Sequence, residues 1–161
     1  MTAPLLALRD AVVRHGDATP LKGLNLEVRP GELVGLLGPN GSGKTTAARA
    51  LMGLVRLERG VAEIGGQSVA HLPAKDRARL VAYLPQSRQM AWPIAVREAI
   101  ALGRFAYGAG VGRLGAEDQA AVDAAVAACD LGPLMDRDVT TLSGGETARV
   151  HMARALAAQT P

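Results

Sequence analysis

The sequence predicts an α/β fold, and three observations carry that reading. Short apolar segments with turn punctuation fill the first third of the chain. One of them, residues 33–37 (Leu-Val-Gly-Leu-Leu), is apolar on both faces and is followed at once by a glycine-rich turn and a helix-prone stretch. After residue 93 the composition turns helical, rich in Ala and poor in β-branched runs.

Taken in order, residues 5–14 read as the first strand. Residues 24–29 read as a half-buried antiparallel strand, because Leu24, Leu26 and Val28 alternate with Asn25, Glu27 and Arg29. Pro30 and Gly31 make a turn into residues 32–37, whose two apolar faces predict a central, buried strand. Residues 45–52 read as a helix closed by Gly53, and residues 60–64 as a strand ended by Gly65-Gly66. Pro73 introduces a short helix over 74–79, and residues 80–84 predict a buried strand stopped by Pro85. Helices over 96–102, 117–131 and 143–158 follow, with a Gly-rich loop at 103–115 between the first two.

A chain of 161 residues with 48% apolar content has room for one ordinary domain with a real core. That content is almost all aliphatic, since Tyr83, Trp92, Phe105 and Tyr107 are the only aromatics. Charged residues make up 20% and both signs are mixed, which excludes a disordered polyelectrolyte. The net charge of +3 rests on scattered arginines with Lys only at 22, 44 and 75. No basic groove interleaved with aromatics is present, so no nucleic-acid partner is expected. Cys129 has no second cysteine to pair with, which predicts a reducing compartment. The apolar runs fall far short of the roughly 20 residues that span a bilayer, so any membrane contact is expected to be peripheral.

Residues 38–45, Gly-Pro-Asn-Gly-Ser-Gly-Lys-Thr, fit the pattern G-x-x-x-x-G-K-[ST] between a predicted strand and a helix. A chance match in a chain of this length is on the order of one in a few hundred. Gly38, Gly41 and Gly43, with Asn40 and Ser42 between them, let successive backbone amides converge on phosphate oxygens. The helix N-terminus adds partial positive charge. Lys44 is the residue to reach the β- and γ-phosphates, the Thr45 hydroxyl is the Mg²⁺ ligand, and Thr46 is a further phosphate contact. ATP and Mg²⁺ are the expected ligands.

Residues 142–146, Leu-Ser-Gly-Gly-Glu, open the last helix. Ser143 and Glu146 have capping-box spacing. That spacing leaves Gly144 and Gly145 unexplained, because each glycine in a helix costs roughly 1 kcal/mol. Bare amides at a helix start are what an incoming phosphate needs.

With these motifs in that order the chain resembles the ATP-binding cassette (ABC) ATPases, P-loop NTPases with an N-terminal antiparallel β subdomain and a helical insert. Residues 38–45 match the family's Walker A motif, Gln86 in Leu84-Pro85-Gln86 matches its Q-loop, and residues 142–146 match its LSGGQ/E signature. The resemblance implies an ATP-hydrolysing subunit that pairs head to tail with a second copy. Ser143 and Gly145 of one copy would bind the γ-phosphate held by Lys44 of the other, with Gly144 beside them. Gln86 would contact Mg²⁺ and the attacking water, so that Lys44, Gln86 and Ser143 are the implied catalytic set and Thr45 and Gln86 the implied metal set. His15 stands where the family usually places an adenine-stacking aromatic; a solvated turn histidine is the other reading. His71 and His151, with no motif around them, are expected to be surface or helix-face residues.

The resemblance further divides the chain into a β/P-loop core (1–87), a helical subdomain (88–141) and a signature helix (142–161). Tyr83-Leu84-Pro85-Gln86, Trp92-Pro93, Val96-Arg97-Glu98 and Leu102-Gly103-Arg104 resemble the ATPases of iron-siderophore, haem and cobalamin importers. That implies transmembrane permease subunits as partners, a periplasmic binding protein acting indirectly, and a place on the cytoplasmic face of the inner membrane. Gln86 and residues 88–104 would line the groove that receives the permease.

The family's Walker B motif, four apolar residues followed by Asp-Glu, is not found. The near-match at Val126-Ala127-Ala128-Cys129-Asp130 precedes the signature and lies in an Ala-rich helical run, so its order is wrong. The reading is therefore of an incomplete domain, about two-thirds of roughly 250 residues, that binds ATP without turning it over alone. A non-catalytic ATP-binding fragment, or an ABC ATPase of translation or DNA repair, is the alternative. The chromosome-maintenance class is excluded because no heptad run separates Gln86 from Ser143. A simple kinase leaves the signature unexplained.

Overall fold

The computed structural model describes residues 3–86, 93–110 and 112–161, and these form two compact units, residues 1–77 and 78–161. Arg88 and Trp92 lie outside the described residues.

The first unit is built on an antiparallel sheet. Strands β1 (Leu6–His15), β2 (Ala18–Val28), β3 (Arg59–Ile64) and β4 (Gln67–Ser68) stand in the order β2-β1-β3-β4. β1 and β2 form a hairpin that pairs Leu6 with Val28 and Leu8 with Leu26, which confirms the strand read from the alternation at 24–29. The ladder slips at Asp10, whose positive φ of 46° marks a bulge. Asn25 holds that bulge, accepting from the Asp10 amide at 2.9 Å and donating to its carboxylate at 3.2 Å. Helix α1 (Lys44–Leu51) buries Ala47, Ala50 and Leu51, and Leu8, Val13, Leu21 and Ile64 are among the buried side chains of the sheet.

Helix α2 (Ala74–Leu80) begins directly after Pro73 and carries the chain from the first unit into the second. The second unit is helical: α3 (Val96–Ala101), a 3-10 turn over Leu102–Tyr107, α4 (Ala116–Ala128) and α5 (Gly144–Ala157). Val96, Ile100, Val122, Leu131, Val150 and Ala153 form its core, each 0–1% exposed. A short backbone pairing ties the start of α3 to the segment before α5: Val96 donates to Arg137, Arg97 to Met135, and Val139 to Ile94. The near-match Val126–Asp130 runs off the end of α4, as its composition implied.

Two predicted strands are corrected. Residues 32–37 and 81–84 belong to no strand. Leu33 and Leu37 are almost wholly exposed, and Leu80, the predicted start of the second strand, is the last residue of α2. The reason is physical: a strand exists only when its backbone pairs with another strand. Among the described residues, nothing pairs with either segment. An apolar pattern states that a segment is suited to burial, and cannot supply the neighbour.

Candidate functional site

The glycine-rich loop lies in the first unit, in a segment whose residues 31–42 are all solvent-exposed, and leads into α1. Gly43 is the N-cap of α1, with φ 91°, ψ 4°, a left-handed conformation that side chains rarely adopt. A Cβ there would also stand 2.4 Å from the Pro20 carbonyl oxygen, so the loop lies directly on β2. No side chain caps the helix. The amides of Lys44, Thr45 and Thr46, in the first turn, have no intrahelical acceptor and point out of the N-terminus.

Lys44 Nζ donates to the carbonyl oxygens of Gly38 at 2.8 Å and Pro39 at 2.6 Å, so its ammonium closes the loop on itself. A cleft of about 400 Å³ runs beside it, lined by residues 20–24 of β2 and by Leu36, Leu37, Ser42, Gly43, Lys44 and Ala47. Ser42, Gly43 and Lys44 are thus brought together in one cleft. His15 is exposed at the end of β1, in the hairpin turn with Gly16, and does not line it. Among the described residues no acidic side chain lines the cleft, so the cationic and amide character of the loop is unopposed there.

The signature residues lie in the second unit. Ser143 is the N-cap of α5, and both halves of the capping box form: the Glu146 amide donates to Ser143 Oγ at 3.3 Å, and the Ser143 amide to Glu146 Oε2 at 2.7 Å. Hydrogen bonding by Ser143, through its side chain first and its amide second, holds the Glu146 carboxyl below its ordinary value. Arg137, 3.5 Å from Glu146 Oε1, adds to this. Gly144 and Gly145 are exposed, and a Cβ on either would meet nothing within 4 Å. Neither has a positive φ. Nothing local demands glycine at these two positions.

Gln86 is exposed, on a bend after Pro85. Arg97 is half-exposed and ion-paired with Asp136. Arg104 corrects the expected groove. It is 3% exposed, with Nε 2.7 Å from Asp118 Oδ1, so it is an internal residue of the second unit and no docking surface. The sequence hides this burial because an arginine at the start of a Gly-rich loop reads as solvated. The signal that could have found it is the acid Asp118, one α-helical turn into the next element. His71 is exposed as expected, whereas His151 is buried on the core face of α5. Cys129 is buried too, and that burial pushes its thiol upward, away from reactivity. No helix among the described residues is long and apolar enough to cross a membrane.

The comparisons with known proteins agree with the motifs. The family model described as ABC transporter matches residues 21–161. The chain is 39% identical over 145 residues to the hemin import ATP-binding protein HmuV of Pseudomonas entomophila (strain L48), covering 90% of this chain and 55% of the relative. It is 40% identical over 149 residues to the protein of that name from Streptomyces coelicolor, covering 92% and 52%. The chain therefore spans about half the length of the curated relatives it matches. Among solved structures, the ATP binding subunit of an ABC transporter superposes with a TM-score of 0.83 at 25% identity, over 98% of this chain and 63% of that one. A bacterial Atm1-family ABC exporter with ATP bound gives 0.80 at 29% identity, over 100% and 28%. A glycine-rich loop on β2, a capped helix opening on two bare glycines, and a family match over residues 21–161 lead to one conclusion: the chain belongs to the ABC transporter family, with the α/β P-loop fold of its ATPase domains.

Proposed function

We propose that this chain is the nucleotide-binding part of an ABC importer ATPase, and that it binds MgATP through residues 38–46. The observation that carries the reading is the loop on β2 ending in the uncapped N-terminus of α1, with Lys44 poised beside it. On nucleotide binding, Lys44 Nζ exchanges the Gly38 and Pro39 carbonyls for β- and γ-phosphate oxygens. Those are stronger, charge-assisted bonds. The amides of Gly41 to Thr46 and the side chains of Asn40, Ser42 and Thr46 then surround the phosphates.

The Thr45 hydroxyl, a neutral oxygen at the head of α1, suits Mg²⁺, a hard cation that takes one or two protein ligands and completes its shell with phosphate oxygens and water. Gln86 is its second proposed ligand. Mg²⁺ held by these residues would supply charge neutralisation to the phosphates. Ser143, Gly144 and Gly145 serve the γ-phosphate of a second copy's nucleotide. His15 is offered to adenine from the rim of the first unit. Residues 1–87, 88–141 and 142–161 act as nucleotide core, helical subdomain and signature helix.

Hydrolysis of ATP, coupled through transmembrane permease subunits to import of a metal chelate of the haem, siderophore or cobalamin type, is the activity proposed for the whole protein. The hemin-import relatives at 36–40% identity support it. A periplasmic binding protein would deliver the cargo, and the ATPase would sit at the cytoplasmic face of the inner membrane. Titration of the 161-residue chain with a fluorescent ATP analogue and Mg²⁺ tests the core of the reading. Lys44→Ala removes a charge-assisted bond worth about 1.5–3 kcal/mol, so affinity is expected to fall roughly 10- to 100-fold. Equal affinity in the two proteins would overturn the assignment of the site.

A further inference from the structure

Arg104 is buried among the described residues of the second unit, which calls for a reason. An apolar side chain of similar volume would fill the space at no greater cost. Its contacts supply the reason. Nε donates to Asp118 Oδ1 of α4 at 2.7 Å, and Nη1 donates to the Ala157 carbonyl at 3.1 Å and to Gln159 Oε1 at 3.3 Å. The guanidinium also lies 3.7 Å from the centre of the Tyr107 ring, and the Tyr107 hydroxyl donates to the Ala158 carbonyl at 2.9 Å. Arg79 steadies the same ring from 5.2 Å and donates to the Ala106 carbonyl at 2.9 Å.

Ala157 and Ala158 are the end of α5, where helix carbonyls lack intrahelical donors and a cation is favoured by the helix dipole. The turn Leu102–Tyr107 therefore supplies a C-terminal cap from a segment some fifty residues away in the chain. Contact is backbone on backbone: a Cβ on Gly103 would stand 2.3 Å from the Arg154 carbonyl oxygen. The opposite end of this 14-residue helix carries Ser143, Gly144 and Gly145, all exposed. Such a helix is about 21 Å long, so a tilt of about 5° at the cap displaces the tip by about 2 Å. A shift of about 1 Å is enough to spoil contact with a reacting group.

We propose that Arg104 and Tyr107 are positioning residues: together with Gly103 they clamp the C-terminal end of α5 and so set where Ser143, Gly144 and Gly145 point. The functional weight of that aim rests on the reading of these residues as a phosphate-binding tip. The test uses the 161-residue chain and the backbone amide resonances of Ser143, Gly144 and Gly145. Tyr107→Phe keeps the ring under the guanidinium and removes only the bond to Ala158. Arg104→Lys keeps the charge and loses the planar fork. Both are expected to leave the thermal melt close to wild type while displacing the three tip amides, and a control, Gln119→Ala, which cuts an exposed pair with Asp123 on α4, is expected to displace none. Displacements confined to residues around 104, 107 and 157 in both variants would overturn the clamp. Nucleotide affinity at Lys44, measured on the same samples, separates the two readings. Its absence in the wild-type chain would remove the phosphate role, and the tip amides would still decide whether the clamp aims the helix.

Discussion

Replacing Gly144 and Gly145 with alanine is expected to stabilise the second unit. Both lie in the first turn of α5 with ordinary helical backbone, and the built Cβ of each meets no atom within 4 Å. With no steric term to oppose it, the change is governed by backbone entropy. Alanine is favoured over glycine by up to about 1 kcal/mol in a helix interior, and roughly half that is a fair allowance in a first turn. The double variant then gains about 1 kcal/mol. For a domain of 60–100 residues, each kcal/mol raises Tm by about 4–8 °C. Thermal unfolding followed by far-UV circular dichroism at 222 nm, compared with wild type and with each single variant, measures it. A lower Tm in either single variant would refute the reasoning, because it would mean that the glycines serve the helix's own geometry. A higher Tm would leave an external demand, an anion approaching bare amides, as the reason for glycine there.

Gly43→Ala tests the loop's seat on β2. The left-handed φ costs roughly 1–2 kcal/mol for any side chain, and the Pro20 carbonyl 2.4 Å from the new Cβ must also move. Lower Tm of the first unit together with weaker nucleotide binding is expected; unchanged values in both would show that the loop does not rest on β2. The capping box makes the second unit sensitive to acid. The Glu146 carboxyl is held below its unfolded value of about 4.3, so its contribution is fully present above that pH and is lost as pH falls through the lowered folded value. Below about pH 4.3, Tm is therefore expected to fall more steeply in wild type than in Glu146→Gln, and parallel curves would argue against the box.

Much of the candidate site was legible because it is local. Residues 38–45 form a loop and helix start whose shape depends on glycines and on the next helical turn, and Gly43 takes the left-handed conformation that only such a residue tolerates readily. The same holds for Ser143 and Glu146, three residues apart, whose reciprocal bonds follow from spacing alone. The hairpin at 24–28 was readable from alternation because its partner, β1, is its neighbour in sequence. Residues 33–37 and 80–84 carry equally clear apolar patterns, and their state depends on strands that pattern cannot provide. Arg104 was misread for a related reason: burial of a charge is decided by where its counter-charge falls, here Asp118 on another helix.

By itself, the sequence determined the glycine-rich loop before α1, the capped helix opening at Ser143, the family, and the existence and approximate limits of the helices after residue 93. These rest on contacts within a few residues, which spacing and side-chain chemistry specify directly. Only the tertiary structure decided that Lys44 folds back on the Gly38 and Pro39 carbonyls, that His15 stands outside the cleft, and that Arg104 and Tyr107 grip the far end of α5. The lysine contact depends on the path the loop takes between Gly38 and Lys44, and the grip on α5 on surfaces that meet across some fifty residues, and no local pattern encodes either.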